Sequence, residues 1–246
     1  MADGDPLPDN VRVLSLAELA SLPEPVVHLK GFAKRLIVGG VPAGLSMRGE
    51  AEWDREAAAT ERAVARLCAA ICEASPRTLV FDGDAFEERS FTCVVPRLLR
   101  ARPEMHVCAF MLDVPQRVGR FMSTWTQPLA GGTSCTLVLV PLPESDGGGG
   151  DTTQQSDAGG GAHDAKYSYL GCEALLATGA SDVFCLGGGQ VLASEFELTR
   201  QRSGARHADA APRFVHASVR RQVGEGGAKL SLESSTLDDV EGVVQI

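Results

Sequence analysis

Residues 182–197, DVFCLGGGQVLASEFE, run from an apolar stretch through three consecutive glycines into a segment of helix-forming residues. Val183, Phe184, Cys185 and Leu186 are apolar at consecutive positions instead of alternating ones. That pattern is expected of a strand covered on both faces, as in a parallel sheet sandwiched between helices. Gly187, Gly188 and Gly189 then predict a tight strand-to-helix turn, and the N–H groups opening the following helix would point at any anion held there. A glycine turn that only packs a strand against a helix needs no ligand, so this stretch alone leaves both readings open.

The same alternation extends upstream. RTLVFDGD (77–84), EMHVCAFMLD (104–113) and SCTLVLVPL (134–142) read as buried strands, and NVRVLSL (10–16), EPVVHLKG (24–31) and KRLIVGG (34–40) as shorter β-prone stretches. Between them, Trp53 to Ala74 is rich in Ala, Glu and Arg, with Ala58, Val64, Leu67, Cys68, Ile71 and Cys72 on one face, and is the clearest helix. FTCVVPRLLRAR (91–102), with Pro96 early in it or kinking it, YLGCEALLATGA (169–180), closed by Gly179, and VLASEFELTRQR (191–202) are further helices, and VGRFMSTW (118–125) is a short one. Strands alternating with helices predict an α/β, doubly wound, mostly parallel sheet of Rossmann-like type. RFVHASVRRQV, GEGG and AKLSLESS alternate in polarity around a glycine-rich turn and predict a C-terminal antiparallel hairpin at about 213–235.

With 246 residues and 44% hydrophobic content, the chain can bury a sizeable core. Residues 1–10 read as a flexible tail and 11–246 as one α/β domain. Residues 144–166 hold seven glycines and five acidic residues with almost nothing to bury, the composition of a disordered surface insertion. A net charge of −9 argues against general nucleic-acid binding, which requires an excess of clustered Lys and Arg. No apolar run approaches a membrane span, and the acidic, proline-containing start lacks the basic opening of a secretory signal, so a cytoplasmic protein is expected. Seven cysteines without a CxxC pair read as buried thiols, Cys93 and the Cys68/Cys72 pair included, and the five histidines form no metal-ligand spacing. No metal and no cofactor is implied.

Candidate site residues cluster at strand ends, because open parallel sheets bind ligands outside the carboxyl ends of their strands. Three such ends are unusual: Gly39-Gly40 after RLIV, Asp82-Gly83-Asp84 after TLVF, and Gly187-Gly188-Gly189 after VFCL. Arg48, in the glycine-rich loop following Gly39 and Gly40, would offer a fork donor to phosphate, or is a solvated loop arginine. Glu195 would hold a ribose hydroxyl or serve as a base, or else stabilise the helix N-terminus by its charge. Neither G-x-G-x-x-G nor GK[ST] is present, so no dinucleotide fingerprint or P-loop is read. Asp82 and Asp84 form a D-x-D that resembles the nucleophile and acid of haloacid-dehalogenase-type phosphatases, but the later paired acidic residues for Mg²⁺ are replaced by the glycines. Their alternatives are ribose or base recognition, a solvated turn or capping of the next helix, which Ser90 and Thr92 would do equally. Arg200, Arg202, Arg206, Arg213, Arg220 and Arg221 make the last third locally basic, as a surface for an acidic or phosphate-rich partner or as a solvated helix end.

The pattern resembles the Rossmann-type superfamily that includes the LOG, or lysine decarboxylase-like, phosphoribohydrolases, over about 35–200. Those proteins place a glycine pair after an early strand, as Gly39-Gly40 stand here, and a P-G-G-x-G-T-x-x-E motif after a late one. Gly187 and Gly188 match, whereas Leu186 replaces Pro, Gln190 replaces Gly, Val191 replaces Thr and Glu195 falls one position late. The resemblance implies a nucleotide or phosphosugar as small-molecule partner, with degenerate N-glycosidic hydrolysis or sensing. The alternative from another class is a noncatalytic interaction protein on the same scaffold, pairing through a sheet edge into a homodimer.

Overall fold

Eight strands form one sheet in the order β1-β5-β4-β3-β2-β6-β7-β8. They are β1 (Val11–Leu14), β2 (Val26–Lys30), β3 (Thr78–Asp82), β4 (His106–Leu112), β5 (Cys135–Val140), β6 (Asp182–Leu186), β7 (Arg213–Ala217) and β8 (Val243–Gln245), and every neighbouring pair is parallel. The computed structural model describes residues 9–16, 18, 22–30, 50–83, 89–112, 115–116, 118–119, 121–123, 133–140, 171–172, 174–187, 190–206, 211–218, 237 and 240–246. Three helices are described along their full length: α1 (Glu50–Ala74), α2 (Arg89–Ala101) and α3 (Gln190–Arg206). Among the described residues no helix is long and apolar enough to cross a membrane.

The consecutive apolar residues of the strands divide between two covered faces, because successive side chains of a strand point to opposite sides. Val27, Leu29, Leu79, Phe81, Val107, Ala109, Leu137, Phe184, Leu186 and Val215 join Val64, Leu67 and Ile71 of α1 and Val94, Val95, Leu98 and Leu99 of α2 in the main core. On the other face Val183, Cys185 and Phe214 pack with Leu192 and Phe196 of α3, and Phe196 meets Phe214 edge-on at 4.9 Å. The doubly covered α/β sheet expected from the sequence is therefore present. Phe121 and Met122 of the helical residues 121–123 also enter the main core.

The C-terminal antiparallel hairpin is overturned. β7 has β6 on one side and β8 on the other, both parallel, which leaves it no antiparallel partner. Phe214, Val215 and His216 pair with Val243, Val244 and Gln245, not with the stretch just after GEGG. The alternating look of RFVHASVRR has another cause: β7 carries His216 among apolar residues, all buried from Phe214 to Ala217. The second half of that hairpin, like the strand expected at 34–40 and the insertion at 144–166, lies outside the described residues. α2 starts at Arg89, so Ser90 and Thr92 stand inside the helix and do not cap it, and Pro96 sits in its middle, removing one helical N–H.

Two buried histidines are locked neutral. Thr178 donates its hydroxyl to the carbonyls of Ala174 and Leu175, so it can only accept from His28 Nε2, at 2.7 Å. That bond ties the helical residues 174–178 to β2. Burial holds the His28 imidazole well below its usual range, with the charge of Lys30 adding to the effect. At the amino end of the sheet His106 sits between Ser134 Oγ (2.6 Å) and Thr136 Oγ1 (2.8 Å), and burial, helped by Arg12, pushes it down to about 4. A histidine whose pKa is lowered by folding contributes stability above its unfolded value near 6.5 and loses it as the pH falls toward the folded one. Urea denaturation between pH 7 and 5 should therefore show a smaller fall in stability for His106→Gln than for wild type; equal falls would show that His106 protonates freely in the fold.

Candidate functional site

The strand order reverses next to β2. From β2 the chain moves outward through β3, β4 and β5 on one side, then returns to place β6, β7 and β8 on the other. Strand connections leave β2 and β6 in opposite directions, so their carboxyl ends flank a topological switch point, where open α/β sheets leave a crevice. Lys30 ends β2, and α3 follows β6 after the glycine run.

Register brings together residues that are far apart in sequence. Asp82 pairs with Phe110, Lys30 with Cys185, Cys185 with His216 and His216 with Gln245. Lys30 and Asp82 close their strands one step beyond the Leu29–Phe81 pairing. One lateral row at the carboxyl end, on the face opposite α1 and α2, thus reads Asp82, Lys30, Cys185, His216, Gln245. Neighbouring strands lie about 4.8 Å apart, so adjacent members of this row are direct neighbours.

Above the row stands Glu195. Its carboxylate lies 3.2 Å from Lys30 Nζ through each oxygen, and the two side chains are only 8% and 12% exposed. Leu192, Glu195, Phe196, Thr199 and Ser203 recur at helical spacing and are all buried, so α3 carries a half-polar stripe into the protein. Burial raises the Glu195 pKa and the Lys30 charge only partly opposes it. Glu195 is the sixth residue of α3, and no acidic residue occupies the first turn, so stabilising the helix N-terminus is not its role. Gly171 closes the carboxylate from the other side: a Cβ there would fall 1.7 Å from Glu195 Oε1. No residue larger than glycine fits beside the ion pair as it stands.

The glycine run begins as the sequence implies. Gly187 has φ of 61°, the left-handed region that glycine adopts without a Cβ penalty, and it is buried. Its N–H donates to Ala217 O at 3.1 Å, and its carbonyl faces His216 Nε2 at 3.0 Å. His216 Nδ1 reaches Gln245 Oε1 at 2.9 Å, and Gln245 Nε2 in turn donates to Leu237 O. The turn after β6 is thereby anchored to the last two strands.

Of the residues singled out from the sequence, Asp82, Gly187 and Glu195 belong to this end of the sheet. Gly39, Gly40, Arg48, Asp84, Gly188 and Gly189 lie outside the described residues. Lys30 and His216 were not among the candidates. Lys30 carried a signal: in VVHLK, positions 26, 28 and 30 share one face, and a strand otherwise apolar places a histidine and a lysine there. Cys185, in the middle of the row, is no nucleophile, since burial, with Glu195 beside it, pushes its thiol far up and keeps it protonated. Among the described residues no three His, Cys, Asp or Glu side chains are placed to hold a metal ion. The basic cluster is divided: Arg200 pairs with Glu197 on α3, and Arg213 pairs with Asp182 across β6 and β7.

A scan against protein-family models gives no match, and searches of curated proteins and of solved structures give none either. The site is accordingly defined by its own geometry.

A buried pair stripped of one partner leaves an uncompensated charge, which costs about 3–5 kcal/mol, whereas replacing both by apolar residues is often neutral or better. Urea denaturation should show Lys30→Met destabilised by about that amount and Lys30→Met/Glu195→Leu restored to near wild type. Additive losses in the double variant would contradict a closed, mutually compensating pair.

Proposed function

We propose that the crevice at the carboxyl ends of β2 and β6 binds a nucleotide or a phosphorylated sugar. The observation that carries this reading is the Lys30–Glu195 pair at the switch point, a buried cation and a carboxylate of raised pKa beside a glycine-rich strand-to-helix turn. Proteins keep charges out of their interiors unless the charges are used or compensated, and strongly shifted groups in clefts gather at functional sites. In this reading the N–H groups at the start of α3 and the Lys30 ammonium take the phosphate, and Asp82 receives a sugar hydroxyl. Arg48, a fork donor in the loop after Gly39 and Gly40, would supply a further phosphate contact, and those two glycines stand where the LOG-type phosphoribohydrolases place a glycine pair.

Glu195 is the residue on which N-glycosidic hydrolysis would depend. To act as a base it must leave Lys30 and face a water molecule, and its one-residue displacement from the superfamily's motif works against that; a misplacement of about 1 Å can cost on the order of 10²-fold in rate. We therefore favour binding over turnover. The competing reading is a noncatalytic interaction protein. β1 and β8 end the sheet, and Val13 and Val244 on them are exposed, which favours pairing between edges of two copies.

A thermal-shift screen of nucleoside mono- and diphosphates and sugar phosphates should give a selective rise in Tm that is lost in a folded Gly188→Asp variant, whose carboxylate would repel phosphate. An unchanged shift in that variant would remove the glycine turn from the site. No shift from any compound, with light scattering showing a concentration-dependent dimer, would favour the interaction protein.

A further inference from the structure

We propose that Glu195 is the resident occupant of the ligand's anion position: an incoming phosphate takes Lys30 from Glu195, and Glu195 acquires one proton from solvent as the ligand binds. The inference rests on the nucleotide or phosphosugar reading and adds to it the partner of the phosphate and the price in protons.

The geometry sets the exchange. Lys30 Nζ spans both carboxylate oxygens at 3.2 Å, so in the free protein its charge is already committed. An anion that needs this ammonium has to displace the carboxylate. Glu195 then has little to turn to. From β6 it faces Cys185, whose thiol stays protonated, and from the helical segment at 171–172 it faces the bare Cα of Gly171. From β2 the remaining titratable group near Lys30 is His28, which burial keeps neutral, and from β3 it is Asp82, an acid that disfavours a second negative charge. Among these described groups Lys30 is the only cation. Burial already raises the pKa of Glu195 against the pull of Lys30, and removing that pull raises it further.

The charge and proton balance is simple. Before binding, the ammonium and the carboxylate cancel. Afterwards the ammonium faces a phosphate dianion, the Glu195 carboxylate has become a carboxylic acid, and the buffer has supplied the proton. Its O–H is then a donor, free to bond the phosphate or its ester oxygen. Linkage requires the affinity to weaken with rising pH, by about tenfold per unit where one whole proton is taken up.

Isothermal titration calorimetry of the full chain with AMP at pH 8, where phosphomonoesters are fully ionised because their second pKa is about 6, reads this directly. Titrations in buffers of different ionisation enthalpy should give an uptake near one proton per AMP for wild type. Glu195→Gln, which is neutral from the start and keeps the shape, should give an uptake near zero with affinity equal to or above wild type. Binding by wild type with a heat independent of the buffer would overturn the exchange while leaving nucleotide binding intact. Tenfold or greater weakening in a folded Glu195→Gln variant would overturn it too, because the carboxylate would then be holding the ligand itself. If neither AMP, ribose 5-phosphate nor inorganic phosphate gives any heat, the phosphate-binding reading falls and the exchange with it.

Discussion

A lysine and a glutamate 165 residues apart share one buried contact, and the carboxyl end of the sheet is organised around it. Neither charge could stay in that interior alone, since burying an isolated ion costs several kcal/mol even after relaxation. The pair therefore constrains its surroundings. β6 must lie beside β2, α3 must present its sixth residue inward, and position 171 must lack a side chain. Such a pair is weak grounds for stability, because apolar residues of similar volume would do as well. Its position at the switch point gives it a different significance, as a charge held where a ligand would arrive.

The polar row beneath it follows from register and not from any local motif. Asp82, Lys30, Cys185, His216 and Gln245 come from five strands spread over most of the chain, and each is the last or next-to-last residue of its strand or close to it. Parallel pairing aligns those ends at one level. The same alignment joins the glycine turn to the last strand through His216 and Gln245, so the edge of the sheet helps to hold the turn after β6. The opposite, amino end carries a different set, Asn10, His106, Ser134 and Thr136, whose side chains are satisfied by one another or by backbone carbonyls.

The layered fold was legible because short runs such as LVF, VCAF and VFCL, bounded by polar and turn residues, are apolar on consecutive residues, as expected of doubly covered strands. The helix expected from Trp53 to Ala74 was legible from one apolar stripe, and α1 begins slightly earlier, at Glu50. The direction of β7 was not, because alternation around glycines describes a hairpin strand and a parallel strand equally well until the partner is known. Lys30 was hidden for a similar reason: a lysine closing a strand usually marks the return to solvent, and only the register shows that Glu195 meets it. Glu195 itself was singled out for its place after the glycines, yet its burial could not be read from α3, whose inward stripe mixes Leu192 and Phe196 with Glu195, Thr199 and Ser203.

On the proposed function, Lys30 would mark the anion position at the switch point. A crystal structure of the protein grown with AMP tests it most directly. Phosphate is expected in contact with Lys30 Nζ and the start of α3, with the Glu195 carboxyl turned away from Lys30. AMP bound elsewhere while the Lys30–Glu195 pair remains closed would contradict it.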